Sequence, residues 1–161
     1  MLRARFKFYR PAYSIFAFLS LILVLWYQFT IPSRQLFRYS FFRFIPGMIL
    51  AIPGIVIMAV CIRKYFYELS GLQALQQKEI KVTLQQEGLH KYVRHPLYLG
   101  TLLFIWGLLF IFPFLNNLIA CLVITGYILV GIELEEKKLK MEFGDQYDEY
   151  AKSVPKLIPG I

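Results

Sequence analysis

Arg94 and His95 stand immediately ahead of Pro96 in the stretch YVRHPLYLG (Tyr92 to Gly100), and from Pro96 the chain stays apolar to Phe112. Proline is favoured in the first turn of a helix, where its missing N–H costs nothing, and the unpaired N–H donors of a helix start attract anions. A guanidinium and an imidazole at such a start make an anion site. The complementary chemistry lies beyond the next apolar run, where Glu133, Glu135 and Glu136 follow one another closely. A helical hairpin would return this acidic cluster to the same membrane face. The two clusters could then frame one zwitterionic ligand.

The elements that must position them are greasy. Of the 161 residues, 58% are hydrophobic and 17% aromatic, and the mean hydropathy is +0.54, whereas a soluble domain is usually about 45 to 50% apolar. The composition predicts an all-α integral membrane protein forming a single membrane domain over 1–161. Four apolar segments are expected as spans: Ala12 to Phe29, Ile45 to Ile62, Leu97 to Phe112 and Phe114 to Ile132. A span takes about 17 to 25 residues at about 1.5 Å each to cross about 30 Å of hydrocarbon, so the third is marginal. Pro113, Asn116 and Asn117 supply the turn of the C-terminal hairpin. Residues 1–62 thus hold two N-terminal spans, 63–93 a cytoplasmic connector, and 94–161 the hairpin and a cytoplasmic tail. A signal peptide competes for the N-terminus, because Arg3, Arg5, Lys7 and Arg10 precede an apolar stretch. No small-x-small cleavage site follows, and Ile31 and Pro32 stand where one is expected.

Charge sets the orientation. Of the 18 basic residues, four precede the first segment, three (Arg34, Arg38, Arg43) lie between the first and second, six between the second and third, and five follow the fourth. A cytoplasmic N-terminus puts all but those three inside, together with every carboxylate, as the positive-inside rule requires. Both termini are then cytoplasmic. The formal charge of +8 calls for no nucleic acid, since topology already sets these residues beside anionic lipid head groups.

The connector, Arg63 to Lys91, reads as a helical extension through Leu69, Leu72 and Leu75, then a short extended piece at Ile80 to Leu84. Pro53 and Gly54 interrupt the second span, and a packing kink is the simpler account than a ligand role. Acidic residues oppose the dipole at a helix C-terminus, so the fourth helix should run past Glu133 to Glu136 into the cytosol. Lys137, Lys138 and Lys140 then suit its last turn and Gly144 its C-cap. Asp145 is expected to cap a short helix carrying Tyr147 and Tyr150, before Val154-Pro155 and Ile158-Pro159 force an extended tail. Cys61 and Cys121 read as buried, inert thiols. With His90 and His95 the only histidines, and no ligand spacing among the cysteines, no metal site is expected. Repeats, a phosphate-cradling glycine loop and a GxSxG elbow are absent.

RHPLYLG (Arg94 to Gly100), Glu135-Glu136 with Leu139, and FGDQYDEYAKSVPKLIP (Phe143 to Pro159) together resemble the isoprenylcysteine carboxyl methyltransferase family and its phospholipid methyltransferase relatives. The resemblance covers about the last 75 residues. It implies methyl transfer from S-adenosylmethionine to a lipophilic small-molecule or lipidated acceptor drawn from the bilayer, with the cofactor site built in this C-terminal half. His95, with Arg94 and the helix start, would hold the methionine carboxylate, and Glu135 or Glu136 its ammonium group. Lys91, Val93 and Tyr98 would line the cofactor, and Leu157 to Pro159 would close over the adenosine. Candidates for a catalytic role at the acceptor are His90, which stands where relatives usually carry a tyrosine, Arg94 and Glu133. Blander accounts stand beside these: Arg94 as a lipid-phosphate anchor, Tyr92 and Tyr98 as interfacial aromatics, and the glutamates as a solvated helix face paired with Lys137, Lys138 and Lys140.

One departure bears on the acceptor. Carboxyl-methylating members place an arginine in the helix ahead of the double glutamate, whereas no Lys or Arg occurs from Leu97 to Glu136. A thiol, phenol, amine or lipid head group is as fitting an acceptor as a prenylcysteine carboxylate. Two alternatives remain at this stage: a membrane reductase using NADPH, whose class shares a similar C-terminal pattern, and a non-catalytic membrane scaffold. The topology is checked with reporter fusions. Those near Lys78 and after Ile161 should report cytoplasmic and one near Arg38 external, and an external C-terminus would part the two polar clusters.

Overall fold

The computed structural model describes residues 32–38, 40–69 and 84–158, with Leu19, Ile22, Trp26 and Thr30, and only the backbone over 65–69. The elements are α1 (Phe41–Leu69), a 3-10 turn (Gly88–Lys91), α2 (Pro96–Ile111), α3 (Leu115–Phe143) and α4 (Asp145–Ser153). Among the described residues the chain is helical, with one isolated bridge between Gln35 and Phe114. Two helices are long and apolar enough to cross a membrane, α1 over Phe41–Lys64 and α3. The 16 residues of α2 reach about 24 Å at about 1.5 Å each, short of a full hydrocarbon core. The expected span Ala12 to Phe29 lies outside the described residues apart from three isolated positions, as do Leu72, Leu75 and Ile80 of the connector.

Small residues decide how α1 meets α2. Gly47, Ala51 and Gly54 lie on one face of α1, and Gly100 and Gly107, two turns apart, on one face of α2, so the backbones close up in antiparallel register. A β-carbon on Gly54 would fall 2.7 Å from the Gly100 carbonyl oxygen, and one on Gly107 only 2.6 Å from the Ala51 nitrogen. In lipid, where helices gain nothing by hiding apolar surface from water, such close approach is a main source of association. Pro46 and Pro53 both lie inside α1, which continues through them. Each removes one helical hydrogen bond. Gly54 beside Pro53 is packed against Gly100 and Phe104, so this pair serves helix contact.

The α2–α3 hairpin is pinned along its length and at its turn. Trp106 Nε1 donates to Thr125 Oγ1 at 3.1 Å and the Cys121 thiol to the Ile105 carbonyl at 3.2 Å. At the turn the Leu36 N–H bonds Pro113 O, the Leu115 N–H bonds Arg34 O, and the Asn116 N–H bonds Ser33 Oγ, at 2.8, 2.9 and 3.0 Å. The segment ahead of α1 is thus stitched to the hairpin turn. Cys61 and Cys121 are both buried free thiols.

α3 runs on past its glutamates to Phe143 and stops at Gly144, whose φ of 53° suits a residue without a β-carbon. Only Lys140 falls in the last turn before the Gly144 cap; Lys137 and Lys138, six and five residues ahead of Phe143, lie one turn further back. The expectation for Asp145 needs correcting. Gly144 closes α3 and also precedes α4, and Asp145 is the first helical residue, favourable there through the helix dipole without a side-chain cap bond. Tyr147, Tyr150 and Val154 are buried together, with Leu84, Leu139 and Phe143 against them. This small core docks α4 beneath the end of α3.

Gly107→Val should destabilise the protein by about 1 to 3 kcal/mol, because the added carbons meet Ala51 backbone. Gly126→Ala, with nothing within 4 Å of the new carbon, should be neutral or stabilising by about 0.5 to 1 kcal/mol. Thermal unfolding in detergent separates them, and equal transition temperatures for both variants would contradict the packing described.

Candidate functional site

The hairpin brings the start of α2 to the polar end of α3. Pro96 opens α2 and His95 precedes it as the N-cap residue, while Glu133, Glu135 and Glu136 fall just beyond the apolar run of α3. Glu136 is the centre. Its Oε1 lies 3.0 Å from Arg94 Nη1 and 3.1 Å from His95 Nε2, and its Oε2 lies 3.1 Å from Lys156 Nζ. The carboxylate can only accept, so His95 donates from Nε2. His95 Nδ1 sits 3.8 Å from Glu135, and the Tyr98 ring lies 5.7 Å from the imidazole. Lys156 also bonds Glu133 Oε1 at 2.6 Å.

Burial separates the two adjacent glutamates. The side chain of Glu136 is 14% exposed and that of Arg94 12%, whereas Glu135 is 45% exposed. A carboxylate withdrawn from water requires charged partners. Burial alone would raise the pKa of Glu136, which stands beyond the apolar part of α3. Hydrogen bonds from Lys156 and His95 and the charge of Arg94 outweigh that effect and hold it below the usual carboxylate range. The Lys156 ammonium is pushed above its ordinary value, first by its bond to Glu133. The Glu136 contribution is therefore present above the ordinary carboxylate range and lost as pH falls through its depressed pKa, while that of Lys156 persists into the alkaline range.

The tail completes the arrangement. The Arg94 N–H donates to Pro155 O at 2.9 Å and the His95 N–H to Lys156 O at 3.3 Å, so residues 154–157 run alongside the Arg94-His95 pair. Arg94 Nη1 is 3.4 Å from the Tyr147 hydroxyl, and the Tyr150 hydroxyl donates to the His90 carbonyl at 2.6 Å. The α4 core thereby holds both the tail and the 3-10 turn. Arg94 Nε is buried without a hydrogen-bond partner among the described residues, an N–H donor left with capacity for an acceptor.

Of the residues the sequence singles out, Arg94, His95, Tyr98, Glu133, Glu135 and Glu136 come together. Val93 is buried in the backbone turn behind them, and Leu157 is half-buried in the docked tail. Lys91 is exposed on the 3-10 turn, and Pro159 lies outside the described residues. His90 is on that turn, where burial and then the positive charges of His95 and Lys64 lower its pKa. Lys156 and Tyr147 are the residues that sequence reasoning missed. Lys156 was legible only as a lone cation between Val154-Pro155 and Ile158-Pro159, and Tyr147 as one of the spaced tyrosines. Among the described residues no group of three His, Cys, Asp or Glu side chains is arranged to hold a metal.

The profile described as "Phospholipid methyltransferase" matches residues 42–146, from the start of α1 to the start of α4. The chain belongs to the phospholipid methyltransferase family. It is similar to a methanethiol S-methyltransferase of Crocosphaera subtropica, 31% identical over 94% of this chain and 61% of that protein. A methanethiol S-methyltransferase of Pseudomonas deceptionensis is 36% identical over 67% of this chain and 42% of its own length. The protein-S-isoprenylcysteine O-methyltransferase of Schizosaccharomyces pombe is 39% identical over 47% of this chain and 33% of its own length. The chain spans about three fifths of the length of the first of these relatives and less of the others. No solved structure matches it.

Lys156→Met should loosen the tail without disturbing the helices. Hydrogen exchange at the Arg94 and His95 amides is expected to quicken about two- to fivefold, the scale of a partly exposed ion pair, while amides between Gly100 and Gly107 stay unchanged. Unaltered exchange at Arg94 and His95 would show that the tail is held by its backbone and the tyrosine core alone.

Proposed function

We propose that this protein transfers a methyl group from S-adenosylmethionine to a lipophilic, membrane-associated acceptor, and that the Arg94, His95, Glu135 and Glu136 cluster is its cofactor site. One observation carries the reading: Arg94 and His95 from the start of α2 meet Glu136 from the far end of the hairpin at 3.0 and 3.1 Å, with Glu135 3.8 Å from His95, so that anion-binding and cation-binding side chains stand together, as a zwitterionic amino-acid group requires. The unpartnered Arg94 Nε fits a carboxylate as well. When bound, S-adenosylmethionine supplies an electrophilic methyl group on a positively charged sulfur.

His95 and Arg94 bind the amino-acid carboxylate, and Glu136, with Glu135 beside it, accepts the ammonium group. Lys156 keeps Glu133 as a partner and so remains in place when Glu136 is engaged. Val93, Tyr98, Lys91 and the tail from Leu157 to Pro159 line and cover the remainder. Displacement at a sulfonium needs alignment more than proton transfer, and it disperses charge, so apolar helix walls that exclude water favour it. For an acceptor that must lose a proton, His90 is the better of the candidate bases, because its lowered pKa keeps the imidazole neutral near pH 7.

The acceptor we infer is a thiol or another small neutral group. The absence of a cation from Leu97 to Glu136 leaves a carboxylate substrate without a partner in the hairpin, and several similar proteins are named for methanethiol. The membrane topology that suits this reading is multi-pass with about four spans, both termini and the polar cluster cytoplasmic: the soluble cofactor arrives from the cytosol and the acceptor through the bilayer.

His95→Ala and Glu136→Ala should each weaken S-adenosylmethionine binding by roughly ten- to hundredfold, the worth of a charge-assisted hydrogen bond of about 1.5 to 3 kcal/mol. Calorimetry in detergent measures this, and unchanged affinity in both variants would remove the proposed site. NADPH binding in place of S-adenosylmethionine would favour a reductase, and binding of neither a scaffold. In lipid nanodiscs, radiolabelled methyl transfer to a thiol acceptor should equal or exceed transfer to a prenylated cysteine carboxylate. A strong preference for the carboxylate would contradict the acceptor assignment.

A further inference from the structure

The end of the molecule opposite the polar cluster has an unbalanced charge. Arg34, Arg38 and Arg43 all lie there, in and just after the segment whose Arg34 and Leu36 backbone groups bond Leu115 and Pro113 of the hairpin turn. The sequence has no Asp or Glu before Glu68, and none between Glu87 and Glu133, so neither α1 nor the hairpin brings a carboxylate to this end. Three guanidinium groups, charged at every physiological pH, therefore share one membrane boundary with no described acidic side chain.

Two of them border a cavity. It measures about 380 Å³ and is walled by Phe41, Phe44, Phe110 and Ile111, with Arg38 and Arg43 at its margin. Arg43 is partly committed, donating to the Arg38 carbonyl at 3.1 Å and lying 4.8 Å over the Phe37 ring. Among the described residues the exposed Arg38 side chain makes no such contact. Apolar walls that include the exposed Phe41, Phe44 and Phe110, below a rim carrying two guanidinium groups, match an amphiphile with an anionic head. Guanidinium groups bind phosphate oxygens through forked, charge-assisted hydrogen bonds, and a volume of a few hundred Å³ is the usual size of a small-ligand pocket.

We propose that this cavity binds one anionic phospholipid, its phosphodiester held by Arg38 and Arg43 and the upper part of an acyl chain lying against Phe44 and Phe110. The site is distinct from the cofactor cluster and independent of the reaction assigned to it. It would fasten the segment ahead of α1 to the membrane surface on the side poor in basic residues.

Native mass spectrometry of the purified full chain tests this with phosphatidylglycerol, phosphatidylcholine and inorganic phosphate as separate probes. The expected result is one phosphatidylglycerol retained about tenfold more strongly than phosphatidylcholine, with inorganic phosphate failing to compete at equal concentration. Arg38→Gln should abolish the preference, Arg38→Lys should keep part of it, and Phe110→Ala should weaken retention of both lipids. Because Arg43 also ties down its own loop, Arg38→Gln is the deciding variant, with an unchanged thermal transition as its folding control. Equal retention of the two lipids, undiminished preference in Arg38→Gln, or full competition by inorganic phosphate would overturn the proposal.

Discussion

A carboxylate taken out of water must be given partners, and Glu136 has three, drawn from separate parts of the chain. Arg94 and His95 arrive from the start of α2 and Lys156 from the tail. Remove that carboxylate and the pieces at the polar end lose their common centre: Arg94 and His95 would lose the acceptor they share, and the tail would keep only Glu133, its backbone bonds and the tyrosine core. The cluster is costly to assemble because Arg94, His95 and Glu136 give up most of their hydration. That cost accords with the ligand-binding role proposed for the cluster.

The remainder of the structure makes that meeting possible. Gly47, Gly54, Gly100 and Gly107 bring α1 and α2 into backbone contact, and the turn at Pro113 sends α3 back along α2 so that His95 and Glu136 meet. The short α2 fits this arrangement, since it must begin where the glutamates emerge. Glycine at position 144 then stops α3 and redirects the chain into α4, whose buried tyrosines dock the tail against Arg94 and His95. Apolar contact sets the helices and ionic contact sets the site, and the two kinds of force act at different places along the same hairpin.

Much of this is legible in the sequence because it follows from local chemistry. The RHP start, the acidic exit, the continuation of α3 past Glu136 and the stop at Gly144 each depend on a few adjacent residues and on helix-end electrostatics. What was not legible depends on distance. Nothing near Lys156 says that it reaches Glu133 and Glu136, about one turn of helix apart, and nothing near Glu135 and Glu136 says which of them turns inward. That choice is made by helix phase relative to a partner that sequence alone does not position. Asp145 shows a smaller lesson: a residue type that favours caps was displaced by one position because the neighbouring glycine could take the positive φ.

The central claim is that Arg94 and His95 face the carboxylate of the cofactor's amino-acid group. It is tested most directly by removing the charge from each side in turn. The affinities of S-adenosylmethionine and of its decarboxylated analogue are measured by calorimetry on the wild-type protein and on His95→Ala. The account predicts that the wild type binds the analogue at least about tenfold more weakly, one charge-assisted hydrogen bond being worth about 1.5 to 3 kcal/mol, and that His95→Ala discriminates far less between the two. The same discrimination in both proteins would mean that the carboxylate lies elsewhere, and would contradict the account.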